Sequence, residues 1–152
     1  MTAKKPARVA ESLRVQVRYI ESSALLAALL EGETRAMQAI RAPGRRVTSA
    51  LTFAEANRAV TRARVTGRLT VAEERDAIHG LQTFARRCEI IAVSDDVLIR
   101  AGRPFPIEPI RTLDAIHIST VELLSEPPQL VTFVTRDKRI AENARALGYS
   151  IA

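Results

Sequence analysis

The stretch Val131-Thr132-Phe133-Val134-Thr135-Arg136-Asp137 constrains the fold more than any other part of the chain. Its opening residues are apolar or β-branched, as in a buried strand, and a helical pattern starts directly after the break at Thr135-Arg136-Asp137. A strand that feeds straight into a helix is a βα unit, and such units build parallel sheets covered on both faces. Ligands of these sheets bind just beyond the carboxyl ends of the strands. Asp137 stands at that place, so the question becomes which other side chains arrive there.

A second junction of the same kind lies near the start. Val15-Gln16-Val17-Arg18-Tyr19-Ile20 alternates like a strand, Glu21-Ser22-Ser23 ends it, and a nearly all-apolar helix over residues 24–30 follows, with a serine at the junction available to cap it. Short helical pattern over 34–40 stops before Pro43-Gly44, and residues 46–49 form a short strand. A long helix is expected over 52–65, with Phe53, Ala56, Ala59, Val60 and Ala63 on one face and Gly67 beyond its end. Thr70 with Glu73 has the spacing of a capping box, opening a helix to about residue 87. A third strand over 89–93 leads to Ser94-Asp95-Asp96, which cap a short helix ending near Gly102. Three prolines, Pro104, Pro106 and Pro109, make 103–110 an extended loop. Thr112-Leu113-Asp114 opens a helix to about residue 124, and Tyr149-Ser150-Ile151 supplies a last edge strand.

The 152 residues suffice for one domain, read as 15–152 behind a flexible basic leader, 1–14. With no Trp and few aromatics the core must be aliphatic. The single Cys88 excludes an internal disulfide and a cysteine-rich zinc site, which fits a cytoplasmic protein. No apolar run approaches the roughly 18 residues of a membrane span. The charge of +6 invites a nucleic-acid partner, but residues 1–20 carry five Lys/Arg against one acid, which leaves only +2 for the rest.

Four acids deserve comparison: Glu21, Glu55, Asp114 and Asp137. Glu21 and Asp137 both end strands, so a parallel sheet sets them on one rim, where neighbouring strands are about 5 Å apart and two carboxylates can share a cation. Glu55 lies one turn into its helix, and Asp114 lies in the first turn of another. Taken singly, Asp114 is explained by the helix dipole, Asp137 by capping and Glu55 by a solvated helix face. Glu21 is harder to explain that way, because an unpaired charge between an apolar strand and an apolar helix is costly. Clustered carboxylates repel, and a hard divalent cation with oxygen ligands relieves the repulsion. The chemistry that uses such a cluster is metal-assisted hydrolysis of phosphodiesters.

Four segments resemble a known family in order and spacing: Tyr19-Ile20-Glu21-Ser22-Ser23-Ala24-Leu25, Thr48-Ser49-Ala50-Leu51-Thr52-Phe53-Ala54-Glu55, Arg111-Thr112-Leu113-Asp114-Ala115-Ile116-His117, and Val134-Thr135-Arg136-Asp137 with its helix. The chain is similar over about 17–151 to PIN-domain ribonucleases, most of all to the toxins of VapBC toxin–antitoxin pairs. The resemblance implies an α/β/α sandwich of three layers around a mainly parallel sheet, a Mg²⁺ or Mn²⁺ site and RNA cleavage. It also implies a homodimer and inhibition by a small antitoxin. Carried over by position, Glu21, Glu55, Asp114 and Asp137 form the catalytic acidic set, with Glu21, Asp114 and Asp137 on the metal and Glu55 helping directly or through water. Ser23 and Thr135 match small hydroxyl positions that orient acids or waters. The family usually has Asp where this chain has Glu21, and a side chain one methylene longer bears on a metal that tolerates poor geometry badly.

Arg58, Arg62, Arg136 and Arg139 are candidates for phosphate contact, with Arg136 foremost because it adjoins Asp137. His117, three residues after Asp114 on the same helix side, is placed to face the site, but a packed or surface histidine is the simpler reading. His79 and Cys88 lack metal-ligand spacing with any partner. A non-catalytic PIN-like module that binds RNA or a protein partner is the alternative, since Glu21 could mark impaired activity. A phosphoryl-accepting receiver domain would need an acidic pair where Ser22-Ser23 stand, and a dinucleotide enzyme would need a G-x-G-x-x-G, which does not occur.

Overall fold

The computed structural model describes residues 15–152, so the expected leader 1–14 lies outside the described residues. Five parallel strands form one sheet: β1 (Val17–Ile20), β2 (Arg45–Ser49), β3 (Glu89–Ile91), β4 (Val131–Val134) and β5 (Ser150–Ile151). Their spatial order is β3-β2-β1-β4-β5, with β1 at the centre. The helices are α1 (Ser22–Leu30), α2 (Thr34–Arg41), α3 (Ala50–Val65), α4 (Val71–Ala85), α5 (Asp95–Ala101), α6 (Thr112–Glu122) and α7 (Lys138–Ala146). The sheet is parallel throughout, because each strand returns through at least one crossover helix.

Alternation along the strands divides the core. Val17, Tyr19, Val131 and Phe133 pack on one face with Ala115 and Ile118 of α6 and Ile140 and Ala144 of α7. Ile20 and Val134 meet Leu25 of α1, Ala56 and Val60 of α3 and Leu81 of α4. These two apolar layers make the three-layer α/β/α sandwich, and each fully buried aliphatic or aromatic side chain contributes about 1.5–3 kcal/mol. Aromatics are few, yet three lie in a row along one face, each ring tilted against the next. The rings of Tyr19, Phe133 and Tyr149 succeed one another at 5.2 and 5.4 Å between centroids.

Register does the placing that matters for function. Ile20 lies opposite Val134, so Glu21 and Thr135 leave the sheet side by side. The Glu21 backbone N–H still donates to the Val134 carbonyl at 3.0 Å, which ties the two exits together.

Element ends depart from expectation for local reasons. Helix α1 starts at Ser22 rather than 24, because Glu21 and not a serine is its N-cap, accepting from the Ser23 N–H. Helix α3 starts at Ala50 because Ser49 caps it through Oγ, 3.1 Å from Leu51 N. Strand β3 stops at Ile91, where its pairing with β2 ends. Strand β1 starts at Val17, since Val15 is 63% exposed. The capping box of Thr70 and Glu73 forms as the spacing predicts.

Candidate active site

A cleft of about 550 Å³ opens at the carboxyl rim, lined by Glu21, Glu55, Asp114 and Asp137 together with Arg58, Arg62 and Arg111. Each acid comes from a different element. Glu21 follows β1, Glu55 lies in the second turn of α3, Asp114 sits in the first turn of α6, and Asp137 is the N-cap of α7.

Glu21 is only 3% exposed, so its charge must be met by donors. It accepts from Ser22 Oγ at 2.6 Å, Ser23 N at 3.1 Å and Thr135 Oγ1 at 2.8 Å, and from Ser23 Oγ. Two of these hydroxyls, Ser23 and Thr135, are themselves held in place. Ser23 Oγ accepts from Arg136 N at 2.8 Å, and Thr135 Oγ1 accepts from Asp137 N at 3.0 Å. Ser23 and Thr135 thus link the ends of β1 and β4 through the carboxylate between them.

Beside Glu21 lies His117, fully buried. Its Nε2 is 2.5 Å from Glu55 Oε1 and 3.8 Å from Glu21 Oε1. Its Nδ1 is 2.7 Å from the Tyr19 hydroxyl. Carboxylates only accept, so Nε2 carries a proton toward Glu55, and in the neutral ring Nδ1 accepts from Tyr19. Burial pushes the Tyr19 phenol well above its ordinary range, and the carboxylates of Glu21 and Glu55 push it further. The structure packs His117 and at the same time turns it to the site, the placement that its helix side allowed, with Nε2 against Glu55. Its position three residues after Asp114 was the available signal; nothing in the sequence pointed to Tyr19 as its other partner.

The Asp114–Asp137 side is built differently. Arg111 donates through Nε to Asp114 Oδ2 at 2.8 Å and through Nη2 to Asp114 Oδ1 at 3.2 Å. The same Nη2 reaches Asp137 Oδ2 at 2.9 Å. Asp137 Oδ1 meanwhile caps α7, accepting from Arg139 N at 2.8 Å and Ile140 N at 3.2 Å. Hydrogen bonding to Asp114 and the nearby negative charge raise the Arg111 pKa above its ordinary value. Arg111 stands three residues before Asp114, a spacing suited to pairing on a helix, and that was the overlooked signal.

The candidate phosphate contacts separate. Arg58 and Arg62 are exposed and line the cleft. Arg139 is exposed, and its backbone serves the Asp137 cap. Arg136 turns away: its Nε donates to Glu33 at 2.8 and 3.0 Å, and Nη1 donates to the carbonyls of Thr135 and Ala152. At α5, Ser94 is the N-cap, and Asp95 and Asp96 occupy the first turn instead of capping. Burial pushes the Cys88 thiol up to about 12, which makes it a poor nucleophile.

The donor set suits a hard divalent cation. Carboxylate oxygens from separate elements face one open cleft, and Arg111 already shows that positive charge is favoured between two of them. One ligand atom each from Glu21, Glu55 and His117 also lies within 4.8 Å of the others. A metal there would require Nε2 to release the proton it directs at Glu55, and the freed imidazole nitrogen would then favour a transition metal over Mg²⁺.

Among the described residues, no helix is long and apolar enough to cross a membrane. Ribonuclease VapC35 of Mycobacterium tuberculosis is 31% identical over 137 residues, covering 88% of this chain and 93% of its own. Ribonuclease VapC46 of the same organism is 33% identical over 139 residues, covering 88% and 94%. Among solved structures, the fold is similar to VapC20 of Mycobacterium tuberculosis, a sarcin–ricin loop cleaving toxin, with a TM-score of 0.61 at 15% identity over 87% of this chain and 95% of that one. It is also similar to VapBC2 of Rickettsia felis bound to a promoter DNA fragment, with a TM-score of 0.60 at 14% identity over 90% and 97%. Residues 18–146 match the model of the PIN domain, and with these relatives the chain belongs to the PIN domain family, alongside its VapC members.

Proposed function

We propose that this chain is a divalent-metal-dependent endoribonuclease and the toxin of a type II toxin–antitoxin pair. The observation that carries the reading is the convergence of four carboxylates, from four separate elements, on one cleft edged by arginines. Two curated relatives named as ribonucleases support the choice of RNA, and structural neighbours that are toxin–antitoxin complexes support the partner.

In this reading Glu21, Asp114 and Asp137 hold Mg²⁺ or Mn²⁺. When bound, the cation activates water and offsets the charge that builds on the phosphate. Ser23 and Thr135 hold the Glu21 carboxylate in orientation. Glu55, with Oε1 engaged by His117, offers Oε2 to accept a proton. Arg58 and Arg62 draw the RNA backbone to the cleft, with Arg139 further along the rim, while Arg136 stays bound to Glu33. The chain works as a homodimer in the cytoplasm and is silenced by a small antitoxin. The test is RNA cleavage in Mg²⁺ and Mn²⁺ by wild type, Glu21→Asp and Asp137→Asn. Metal-dependent cleavage that Asp137→Asn abolishes is expected, and equal cleavage by wild type and Asp137→Asn overturns the assignment.

The pairing of Arg111 with Asp114 and Asp137 favours a second reading, a non-catalytic module that binds RNA or a protein partner. Its signature is RNA binding without cleavage at saturating Mn²⁺.

A further inference from the structure

Arg111 holds the positions a metal would need. Both oxygens of Asp114 and Oδ2 of Asp137 are engaged by its guanidinium. With Oδ1 of Asp137 committed to the α7 cap, neither carboxylate has an oxygen that its neighbours leave alone. The two acids come from different elements, α6 and the β4–α7 junction, so a single side chain spans the joint between them.

The three partners are unequally buried. The side chain of Arg111 is 59% exposed, that of Asp137 24% and that of Asp114 8%. The acids are therefore fixed, and the base can leave. Arg111 is itself the N-cap residue of α6 and makes no capping bond with its side chain, so its departure leaves the helix start intact. Water screens the guanidinium end of the pair, so another cation can take its place, whereas buried Asp114 needs one cation or the other beside it. A guanidinium and a divalent ion cannot take the same oxygens together.

We propose that Arg111 is a built-in counter-cation for Asp114 and Asp137, and that a divalent metal must displace it to occupy the site. This inference rests on the metal-site reading above. Arg111 is thus a positioning residue: it keeps the two carboxylates facing one another in the metal-free protein and sets how much metal is needed to fill the site. The apparent affinity for metal is lowered by the fraction of molecules in which Arg111 is docked.

The experiment is a Mn²⁺ titration of the full chain, following free Mn²⁺ by electron paramagnetic resonance, with wild type, Arg111→Gln, Arg111→Lys and Arg62→Gln. Arg62 lies on the same cleft and controls for general loss of positive charge. Arg111→Gln should bind Mn²⁺ about 3- to 10-fold tighter than wild type, Arg62→Gln less than about 2-fold tighter, and Arg111→Lys should fall between because it keeps charge without the fork. Melting supplies the second readout. Arg111→Gln should melt below wild type in EDTA, and the gap should close at saturating Mn²⁺. Equal affinity in wild type and Arg111→Gln, or equal tightening in Arg111→Gln and Arg62→Gln, overturns the inference and leaves the nuclease reading standing. Absence of Mn²⁺ binding in every protein overturns both. Should Arg111→Gln not fold, the Arg111→Lys titration decides: affinity equal to wild type counts against displacement.

Discussion

The two sides of the cleft meet the same negative charge in opposite ways. Glu21 is surrounded by neutral donors, three hydroxyls and a backbone N–H, each fixed by the exits of β1 and β4. Asp114 and Asp137 are balanced by a full positive charge on an exposed side chain. The first arrangement is rigid, because the donors belong to the fold. The second is exchangeable, because the cation can be replaced by another. A catalytic cleft needs both: preorganised dipoles that cost nothing to rearrange, and a charge that can change hands.

Substituting the two sides in parallel breaks or sharpens that contrast. Glu21→Gln removes charge-assisted bonds and turns an amide toward hydroxyl donors. It should destabilise the protein by about 3 kcal/mol, measured by urea unfolding in EDTA. Asp137→Asn keeps a good N-cap and should cost less than about 1 kcal/mol, although both variants lose cleavage. Equal stability losses would erase the distinction between the sides.

Next in size is His117→Gln, which frees Glu55 from its buried partner. Cleavage or Mn²⁺ affinity should fall about 10- to 100-fold, as for other groups that orient a metal site. An unchanged value would reduce His117 to packing.

Tyr19 probes the rigid side through pH. Its phenol is raised in the folded state, so the stability it contributes is complete below the ordinary value of about 10 and is lost as pH rises through that value toward the folded one. Tyr19→Phe should cost about 1 kcal/mol at neutral pH and remove this alkaline loss, visible as a flatter melting temperature above about pH 10. An identical alkaline decline in both proteins would contradict it.

The smallest effects concern the arginines at the edge. Arg58→Ala should lower the slope of log RNA affinity against log salt by about 0.7. Arg136→Ala, whose head group is bound to Glu33 and Ala152, should leave that slope unchanged. A larger change for Arg136 than for Arg58 would reverse their order.

How much of this was legible in the sequence follows from what is local. Strand-to-helix junctions at Glu21 and Asp137 fixed a parallel sheet and a shared rim, because period and breakpoints are properties of adjacent residues. Glu21, Glu55 and Asp137 could be grouped since each lies at or past such a break, and Asp114 joined them through its place in the first turn of a helix and the family resemblance. Arg111 was within view, three residues from Asp114, but its reach to Asp137 depends on how α6 lies against the β4–α7 junction. The Arg136–Glu33 pair joins residues 103 apart in sequence, and no local pattern announces it. Glu21 as a helix cap was missed because short polar residues usually fill that role, whereas here the serines instead donate to the glutamate. His117 was placed on the correct helix side, yet its bond to Tyr19 spans 98 residues and depends on β1 lying beneath α6.

The most direct measurement is a crystal grown with Mn²⁺ and analysed by anomalous scattering. The account predicts a peak among Glu21, Asp114 and Asp137, with the Arg111 guanidinium withdrawn from both aspartates. A cleft without a peak at saturating Mn²⁺, with Arg111 still bridging Asp114 and Asp137, would contradict it.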